Sequence, residues 1–237
     1  MLLEIAVFNV HSAILAEKAG ADRLELCENP EEGGTTPSYG TLRTVIEKVG
    51  IPAFPIIRPR GGDFLYDEDS YEVMKKDLLL CKELGFTGAV LGLLDKDGSI
   101  DKERTRRLVE LSYPLEITFH RAFDRAKAPL EALNDLIDCG CNRVLTSGQH
   151  PTVAGGMALI SELIRMAGND IIILPGSGVR STTLPQLIAA GAEEFHSSAR
   201  MVVPSAMEYT VPEMNERLDN LIVDTGEIHA MKALLSK

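Results

Sequence analysis

The sequence contains no tryptophan, and aromatic residues make up only 5% of its 237 residues. It also lacks any apolar run near the roughly 20 residues that a membrane-spanning helix needs. No basic segment precedes the first apolar stretch, which Glu4 and His11 interrupt, so we expect no signal peptide. These absences predict a globular protein of the cytoplasm that has no membrane partner.

Cysteine and positive charge are both scarce. The four cysteines, Cys27, Cys81, Cys139 and Cys141, match neither a disulfide framework nor a zinc-site spacing. Free thiols are typical of reducing compartments. Lysine and arginine number 24 against 35 aspartates and glutamates, which gives a net charge of −11. A chain this acidic is not expected to bind nucleic acid, so the predicted partner is a small molecule or a metal.

Apolar runs and helical patterns alternate along the chain. Predicted strands lie at 2–8, 23–28, 52–58, 88–94, 116–122, 143–148, 171–176 and 193–198. Helical patterns lie at 11–19, 37–48, 68–84, 101–111, 129–138, 155–167 and 181–190. Eight strands that alternate with helices predict an α/β protein, a TIM (β/α)8 barrel. The alternative is a doubly wound open sheet.

One domain over residues 1–237 suffices for this barrel, because the length suits a single core. Several predicted helices end at a glycine, such as Gly85 and Gly140, which tolerates the conformation that stops a helix. The alternation ends after Arg200. We expect no clear strand over 201–212 and a last helix at about 226–236.

Strand alternation predicts which side chains face the barrel interior. If the apolar faces contact the outer helices, the interior receives Glu4, Glu25, Cys27, Thr118, His120, Glu194, His196 and Ser198. Barrel interiors are usually filled with branched aliphatic side chains. Because the ends of parallel strands converge on one mouth, this polar set predicts a functional site there.

Three side chains at strand ends are the candidate catalytic residues. Glu25 or His120 would move a proton, since a carboxyl or an imidazole can act as an acid or base near neutral pH. Arg58, together with Arg60, would hold a carboxylate or phosphate through two guanidinium groups. The alternative for Arg58 is an ion pair with Glu25 or Glu4 inside the barrel.

Further candidates for substrate or anion binding lie on other loops of the mouth. Gly176 and Gly178 follow the seventh strand, and Ser198 ends the eighth, which are positions where many barrels bind phosphate. Tight turns also need glycine, so a structural role remains open. Additional candidates after the third, fifth and sixth strands are Asp63, Arg121 and Ser147.

Cys27 and His196 are the candidate metal ligands. Cu(I) prefers thiolate or thioether ligands and normally takes two or three of them, so one interior cysteine is a poor site by itself. The pair Cys139 and Cys141 flanks Gly140 on a turn at the opposite face of the barrel, and we interpret that glycine as a helix end.

Several segments resemble the signature blocks of the CutC family of copper homeostasis proteins. They are LEIAVFNVHSA, GADRLELCENPEEGGTTPSYG, IIRPRGGDFLY, LDKDGSID, TFHRAFD, RVLTSGQ, PGSGVR and EFHSSA, and the match runs from about residue 2 to 200. The resemblance implies a TIM-type barrel, a cytoplasmic location, and copper binding and tolerance.

The cysteines proposed as copper ligands in that family are only partly present in this chain. Cys27 matches the position at the end of the second strand, but Ala6 stands at the first-strand position and Leu65 replaces a cysteine after GGDF. Two functions therefore stay open. One is binding of copper(I) by Cys27 with a histidine or methionine, and the other is an enzyme acting on a small anionic or phosphorylated sugar-like metabolite. A homodimer or higher homo-oligomer is a further expectation.

Overall fold

Eight parallel strands that alternate with helices form a barrel in the computed structural model, which describes residues 1–236. The barrel strands are Leu2–Val7 (β1), Arg23–Leu26 (β2), Ala53–Pro55 (β3), Gly88–Leu91 (β4), Glu116–Phe119 (β5), Arg143–Thr146 (β6), Ile172–Pro175 (β7) and Glu194–Ser197 (β8). The helices are Val10–Lys18 (α1), Tyr39–Lys48 (α2), Glu68–Leu84 (α3), Lys102–Ser112 (α4), Pro129–Cys139 (α5), Val153–Ala167 (α6), Leu184–Ala189 (α7) and Thr225–Leu235 (α8).

The strands pair in sequence order around the barrel. One half has the order β3-β2-β1-β8 and the other β4-β5-β6-β7. The halves join where Ile56 pairs with Val90 in parallel, and the Ile57 amide donates to the Val90 carbonyl at 2.7 Å. At the other junction β7 and β8 lie side by side, without a hydrogen-bonded ladder among the residues described. The prediction of a TIM barrel, rather than a doubly wound sheet, is confirmed.

The apolar core lies between the strands and the surrounding helices. On β1, Leu3, Ile5 and Val7 are fully buried in this layer, where they belong to the same cluster as Leu78 of α3 and Leu133 of α5. The alternate residues of each strand face the interior, as the period of a strand requires. The interior holds a second, smaller apolar cluster, which consists of Cys27, Phe54, Ile56 and Val90.

An ion-paired layer fills the lower end of the interior, where the strands begin. Arg23 donates to Glu4 at 2.5 Å and to Glu194 at 2.6 Å. Arg143 donates to Glu194 at 2.7 Å and to Glu116 at 2.6 Å. Because every buried charge here has a partner, the desolvation of the charges is offset.

Both arginines of this layer also contact an aromatic ring. The guanidinium carbons of Arg23 and Arg143 lie 5.0 Å and 5.6 Å from the centre of the Phe54 ring. A guanidinium over a ring face is attracted by the ring quadrupole, which adds to the packing of the layer. The layer therefore replaces the branched aliphatic filling that is usual in such barrels.

The sequence predicts no clear strand over 201–212, and this is wrong for the first residues of that segment. Arg200–Val203 (β9) pairs antiparallel with Asn220–Val223 (β10), and together they form a two-stranded ribbon outside the barrel. The partner strand is remote in sequence, so no short hairpin signal marks it. Asn9 Nδ2 donates to the Leu221 carbonyl at 3.1 Å, which attaches the ribbon to the loop after β1.

Two further boundaries differ from the sequence expectation. The seventh helix, expected over 181–190, begins only at Leu184, after a turn in which the Arg180 amide donates to Thr183 Oγ1 at 2.9 Å. Strand β3, expected over 52–58, covers only Ala53–Pro55, and beyond it Ile56 contributes a single bridge to Val90. Within residues 1–236, every helix falls short of the length and hydropathy that a bilayer crossing demands.

Candidate functional site

A cavity of about 940 Å³ opens at the mouth formed by the ends of the strands. Apolar side chains of the strands, among them Ala6, Ile56 and Leu145, form part of its wall. Eight of the predicted site residues line it: Glu25, Arg58, Asp63, His120, Arg121, Gly178, His196 and Ser198. The other four predicted residues, Arg60, Ser147, Gly176 and Cys27, are not among the lining residues in the described part of the chain.

Glu25 is a carboxyl group with 5% of its surface exposed, on the wall of this cavity. Burial raises its pKa, the charge of His196 opposes the rise, and the charge of Glu4 reinforces it. The net result is a pKa above the ordinary glutamate value. A buried carboxyl of raised pKa on a cavity wall is a candidate general acid or base.

His196 connects Glu25 to the ion-paired layer below. Its Nδ1 lies 2.7 Å from Glu4 Oε1, and its Nε2 lies 3.7 Å from Glu25 Oε2. Burial lowers the pKa of His196, but the carboxylates of Glu25 and Glu4 raise it above the ordinary value. Burial raises the pKa of Glu4, but Arg23 and His196 bring it down to about 2. The site therefore holds a Glu4 carboxylate against a His196 whose pKa lies above the ordinary histidine value.

His120 is the opposite case, a histidine that stays neutral. Burial is the main cause, with the charge of Arg58 second, and together they lower its pKa to about 3. The amide of Ala122 donates to Nδ1 at 3.2 Å, so the ring proton belongs on Nε2. That Nε2 is buried and has no hydrogen-bond partner among the described residues.

The surroundings of His120 leave its Nε2 edge for a ligand. A side chain in place of Gly92 would collide with the Nδ1–Cε1 edge, so that edge is covered by backbone. The Phe64 ring lies 4.9 Å from the imidazole centre. A buried donor without a partner costs about 1–3 kcal/mol of stability. Because His120 also lines the cavity, a ligand oxygen there would relieve that cost.

Arg58 and Arg60 each donate to the loops around them. Arg58 donates to the carbonyls of Glu32 at 2.6 Å, Gly34 at 2.7 Å and Gly62 at 2.9 Å, which ties the loops after β2 and β3 together. Among the residues described it has no ion pair with Glu25 or Glu4, so the ion-pair alternative is wrong. Its role toward an anion stays a prediction.

Arg60 serves the loop after β3 instead of the cavity. Its guanidinium donates to Asp63 Oδ1 at 2.8 Å and to the Leu65 carbonyl at 2.7 Å, and it lies over the Tyr66 ring. Nothing in the sequence pattern distinguishes an arginine that binds backbone carbonyls from one that binds a ligand. Both kinds of arginine therefore look alike until the loops are folded.

Arg121 is held by a buried carboxylate. Its Nε donates to Asp124 at 2.8 Å, and its Nη2 donates to Ser147 Oγ at 2.7 Å. Asp124 also accepts hydrogen bonds from Thr146 Oγ1 at 2.6 Å and from the Gln149 amide at 3.1 Å. Ser147 therefore supports Arg121 from behind, although the sequence pattern placed it in the site itself.

The loop after β7 is partly structural. A side chain at Gly176 would collide with Leu145, so this glycine is needed where the two strands approach each other. Gly178 has a left-handed backbone with φ of 76° and lines the cavity. Because α7 begins only at Leu184, no helix start faces the cavity directly after Gly178. A phosphate bound here would therefore contact side chains and not the amide groups of a helix start.

The residues present do not form a copper(I) site. Cys27 is 1% exposed, and burial, with the nearby Glu25 second, raises the pKa of its thiol well above the ordinary value. Copper binds the thiolate form. Within residues 1–236 no group of three or more histidine, cysteine or acidic side chains is placed to hold a metal. Cys139 donates instead to the Lys102 carbonyl at 3.5 Å.

Together, fold and site define a class of protein: a TIM barrel with a ligand cavity at its mouth, in which a raised-pKa carboxyl and a neutral histidine meet the cavity wall. The model of the CutC family matches residues 1–201. The family protein CutC of Photorhabdus laumondii is 44% identical over 99% of this chain and 97% of its own length. The chain therefore belongs to the CutC family.

Solved structures agree with this assignment. A Streptococcus agalactiae protein, provisionally named copper homeostasis protein CutC, is similar at 30% identity with a TM-score of 0.79, over 84% of this chain and 98% of that one. A Pseudomonas aeruginosa protein provisionally named dihydrodipicolinate synthetase has a TM-score of 0.61, over 84% of this chain and 70% of that one. Its identity is 9%, so it shows the barrel fold alone.

Proposed function

We propose that this CutC family protein is an enzyme that transfers a proton on a small anionic metabolite. Glu25 is the group that takes or gives the proton, and His120 is a neutral hydrogen-bond donor to a substrate oxygen. One observation carries the proposal: the same cavity is lined by a carboxyl of raised pKa and by a buried imidazole N–H that has no partner in the described chain.

The chemistry follows from these two protonation states. Ionised Glu25 accepts a proton from a carbon next to a substrate carbonyl, and the carbonyl oxygen gains negative charge as the enolate forms. The His120 N–H donates to that oxygen, which stabilises the charge. The proton then returns from Glu25 to the substrate at the same or a neighbouring atom, so the step is balanced without an oxidant.

His196 and Glu4 are positioning residues in this scheme. The 3.7 Å contact between His196 and Glu25 places a positive group beside the carboxyl, which limits how far burial can raise its pKa. Glu4 holds the imidazole through Nδ1 at 2.7 Å. Without this pair, Glu25 would stay protonated to higher pH and would be a poorer base.

Hydrogen–deuterium exchange tests the proposal. The protein is incubated in D₂O with a set of sugar phosphates and of small keto and hydroxy acids, and deuterium entry into each compound is followed by mass spectrometry. We expect the wild type to label one chemical class and Glu25→Gln to label none. Glu47→Gln, an exposed glutamate of α2 that does not line the cavity, is the matched control and should label as the wild type does. Equal labelling by Glu25→Gln contradicts the proposal.

Copper binding is the second candidate, and the provisional name of the streptococcal relative favours it. Cys27 is the residue that would carry it. The test is a Cu(I) titration against a strong competing chelator, with Cys27→Ala beside the wild type. Because Cu(I) would have to displace the proton of a buried thiol, and no group of three histidine, cysteine or acidic ligands is placed to hold a metal in the described chain, we expect the two proteins to compete equally. A clear loss of affinity in Cys27→Ala would favour the copper function. The cytoplasmic location and the homo-oligomer stay predictions.

A further inference from the structure

We infer that the anionic group of the substrate binds on the side of the cavity formed by the loops after β5, β7 and β8, where Arg121 is the main contact, with Arg180 and Ser198. The substrate class is then a small molecule with a carbonyl or hydroxyl near Glu25 and a phosphate monoester or carboxylate at its other end. This inference rests on the proposed function, because it names the substrate class of the same site.

Charge is unevenly distributed around the mouth. The loops after β2 and β3 contribute three acidic residues to the cavity lining, Glu31, Glu32 and Asp63, against one arginine, Arg58. The lining residues from the loops after β5, β7 and β8 include no acidic residue and four arginines, Arg121, Arg125, Arg180 and Arg200. An anion that enters the cavity is repelled from the first side and attracted to the second. This orients the substrate with its anionic end away from the loops of β2 and β3.

Arg121 is preorganised for an oxyanion. Asp124, whose side chain is 1% exposed, and Ser147 fix its Nε and Nη2 from behind. Its Nη1 has no hydrogen-bond partner in the part of the chain that the structure describes, and 37% of its side chain is exposed. A guanidinium that is already held loses little freedom when it binds, and its planar shape suits a carboxylate or phosphate.

Other donors on the same side are also without internal partners. The Arg180 side chain makes a single hydrogen bond in the described chain, from Nη2 to the Arg200 carbonyl at 3.2 Å. The hydroxyl of Ser198 has no hydrogen bond there, whereas that of its neighbour Ser197 donates to the Val179 carbonyl at 2.6 Å. By contrast, the terminal nitrogens of Arg58 donate to three backbone carbonyls, and its Nε, which has no partner in the described chain, is buried. The partner-free donors that are not fully buried thus lie with Arg121.

Calorimetric titration of the full chain tests the site, with inorganic phosphate and succinate as probes at constant ionic strength. We expect Arg121→Gln to weaken the binding of the preferred probe at least tenfold and Arg180→Gln to weaken it several-fold. Arg60→Gln, which removes an exposed arginine of the same mouth outside the cavity, should leave it within twofold. Tighter binding of phosphate than of succinate identifies a phosphate monoester, and the reverse order identifies a carboxylate.

Arg121→Lys is the second variant, since Asp124 then keeps a positive partner if Arg121→Gln fails to fold. We expect the wild-type melting temperature and weaker anion binding, because lysine lacks the planar fork. Binding that is unchanged in Arg121→Lys and Arg180→Gln, or that no probe shows in the wild type, overturns the inference.

These experiments distinguish a failure of the proposed proton transfer from a failure of the proposed anion site. Glu25→Gln should keep the anion affinity of the wild type within twofold while it loses deuterium exchange. If exchange depends on Glu25 but anion affinity does not depend on Arg121, only the anion site is wrong. If anion affinity depends on Arg121 but no compound exchanges deuterium, only the proton-transfer function is wrong.

Discussion

The lower and upper halves of the barrel interior use the same residue types in opposite ways. At the lower end, Arg23, Arg143 and Glu194 each have partners at 2.5–2.7 Å. At the upper end, Glu25 has its nearest charged partner 3.7 Å away, and Nε2 of His120 has no partner in the described chain. Polar groups that are satisfied internally stabilise the fold, whereas unsatisfied ones at a cavity are available to a ligand.

The largest expected effect on stability comes from removing a carboxylate of the ion-paired layer. Glu194→Gln removes the shared partner of Arg23 and Arg143, and leaves two buried guanidiniums with too little negative charge. We expect the free energy of unfolding to fall by about 3–5 kcal/mol, measured by urea denaturation. Glu47→Gln, which breaks an exposed pair with Arg43, should change it by less than about 1 kcal/mol. Similar losses in the two variants would contradict a structural role for the layer.

A second prediction uses pH to test Glu4, which links the two halves. Its pKa is about 2 in the folded protein against an ordinary value of 4.5, so its stabilisation is complete above 4.5 and is lost as pH falls toward 2. This amounts to about 3 kcal/mol at neutral pH. We expect Glu4→Gln to be less stable than the wild type at pH 7 and the gap to narrow below pH 4.5. A constant gap would refute the pKa assignment.

Two adjacent serines test the same difference between internally bonded and cavity-facing polar groups, with smaller expected effects on stability. Ser197 is buried and donates to the Val179 carbonyl, while it accepts from the Ala199 amide at 3.1 Å. Ser198 faces the cavity. We expect Ser197→Ala to cost about 1–2 kcal/mol in thermal or urea unfolding, since two hydrogen bonds are lost. Ser198→Ala should cost less than about 0.5 kcal/mol and should weaken anion binding instead. The reverse order would contradict the division of roles.

The smallest effect is expected at Glu25. Because its pKa is raised in the folded state, the stability it contributes is present at low pH and is lost as pH rises through that folded pKa. Glu25→Gln cannot ionise, so we expect its stability relative to the wild type to increase as pH rises above the ordinary glutamate value of 4.5. Denaturation at a series of pH values measures this, and a trend of the opposite sign would disprove a raised pKa.

Much of the fold could be predicted because it depends on local patterns. Strand alternation identifies the interior faces, so Glu25, His120 and His196 could be assigned to one mouth from the sequence pattern alone. The ribbon of β9 and β10 could not be predicted, because its two strands are distant in sequence and its pairing is a tertiary feature.

The candidate site was less accessible to sequence reasoning. Arg23 and Arg143 open their strands on the same face as the interior glutamates, and that signal could have revealed the ion-paired layer. The engagement of Arg58 by backbone carbonyls, and the support of Arg121 by Asp124, depend on loop conformations that one sequence does not specify. The charged residues of the barrel interior were therefore predictable, but the hydrogen-bond partners of each were not.

Carbon-13 NMR titration of the glutamate carboxyl groups tests the central claim most directly, with Glu25→Gln and Glu4→Gln used to assign the two signals. The account predicts that Glu25 titrates above the ordinary value of 4.5 and Glu4 far below it. If Glu25 titrated at or below 4.5, it would already be a solvated carboxylate, and the proposed proton transfer at the barrel mouth would be contradicted.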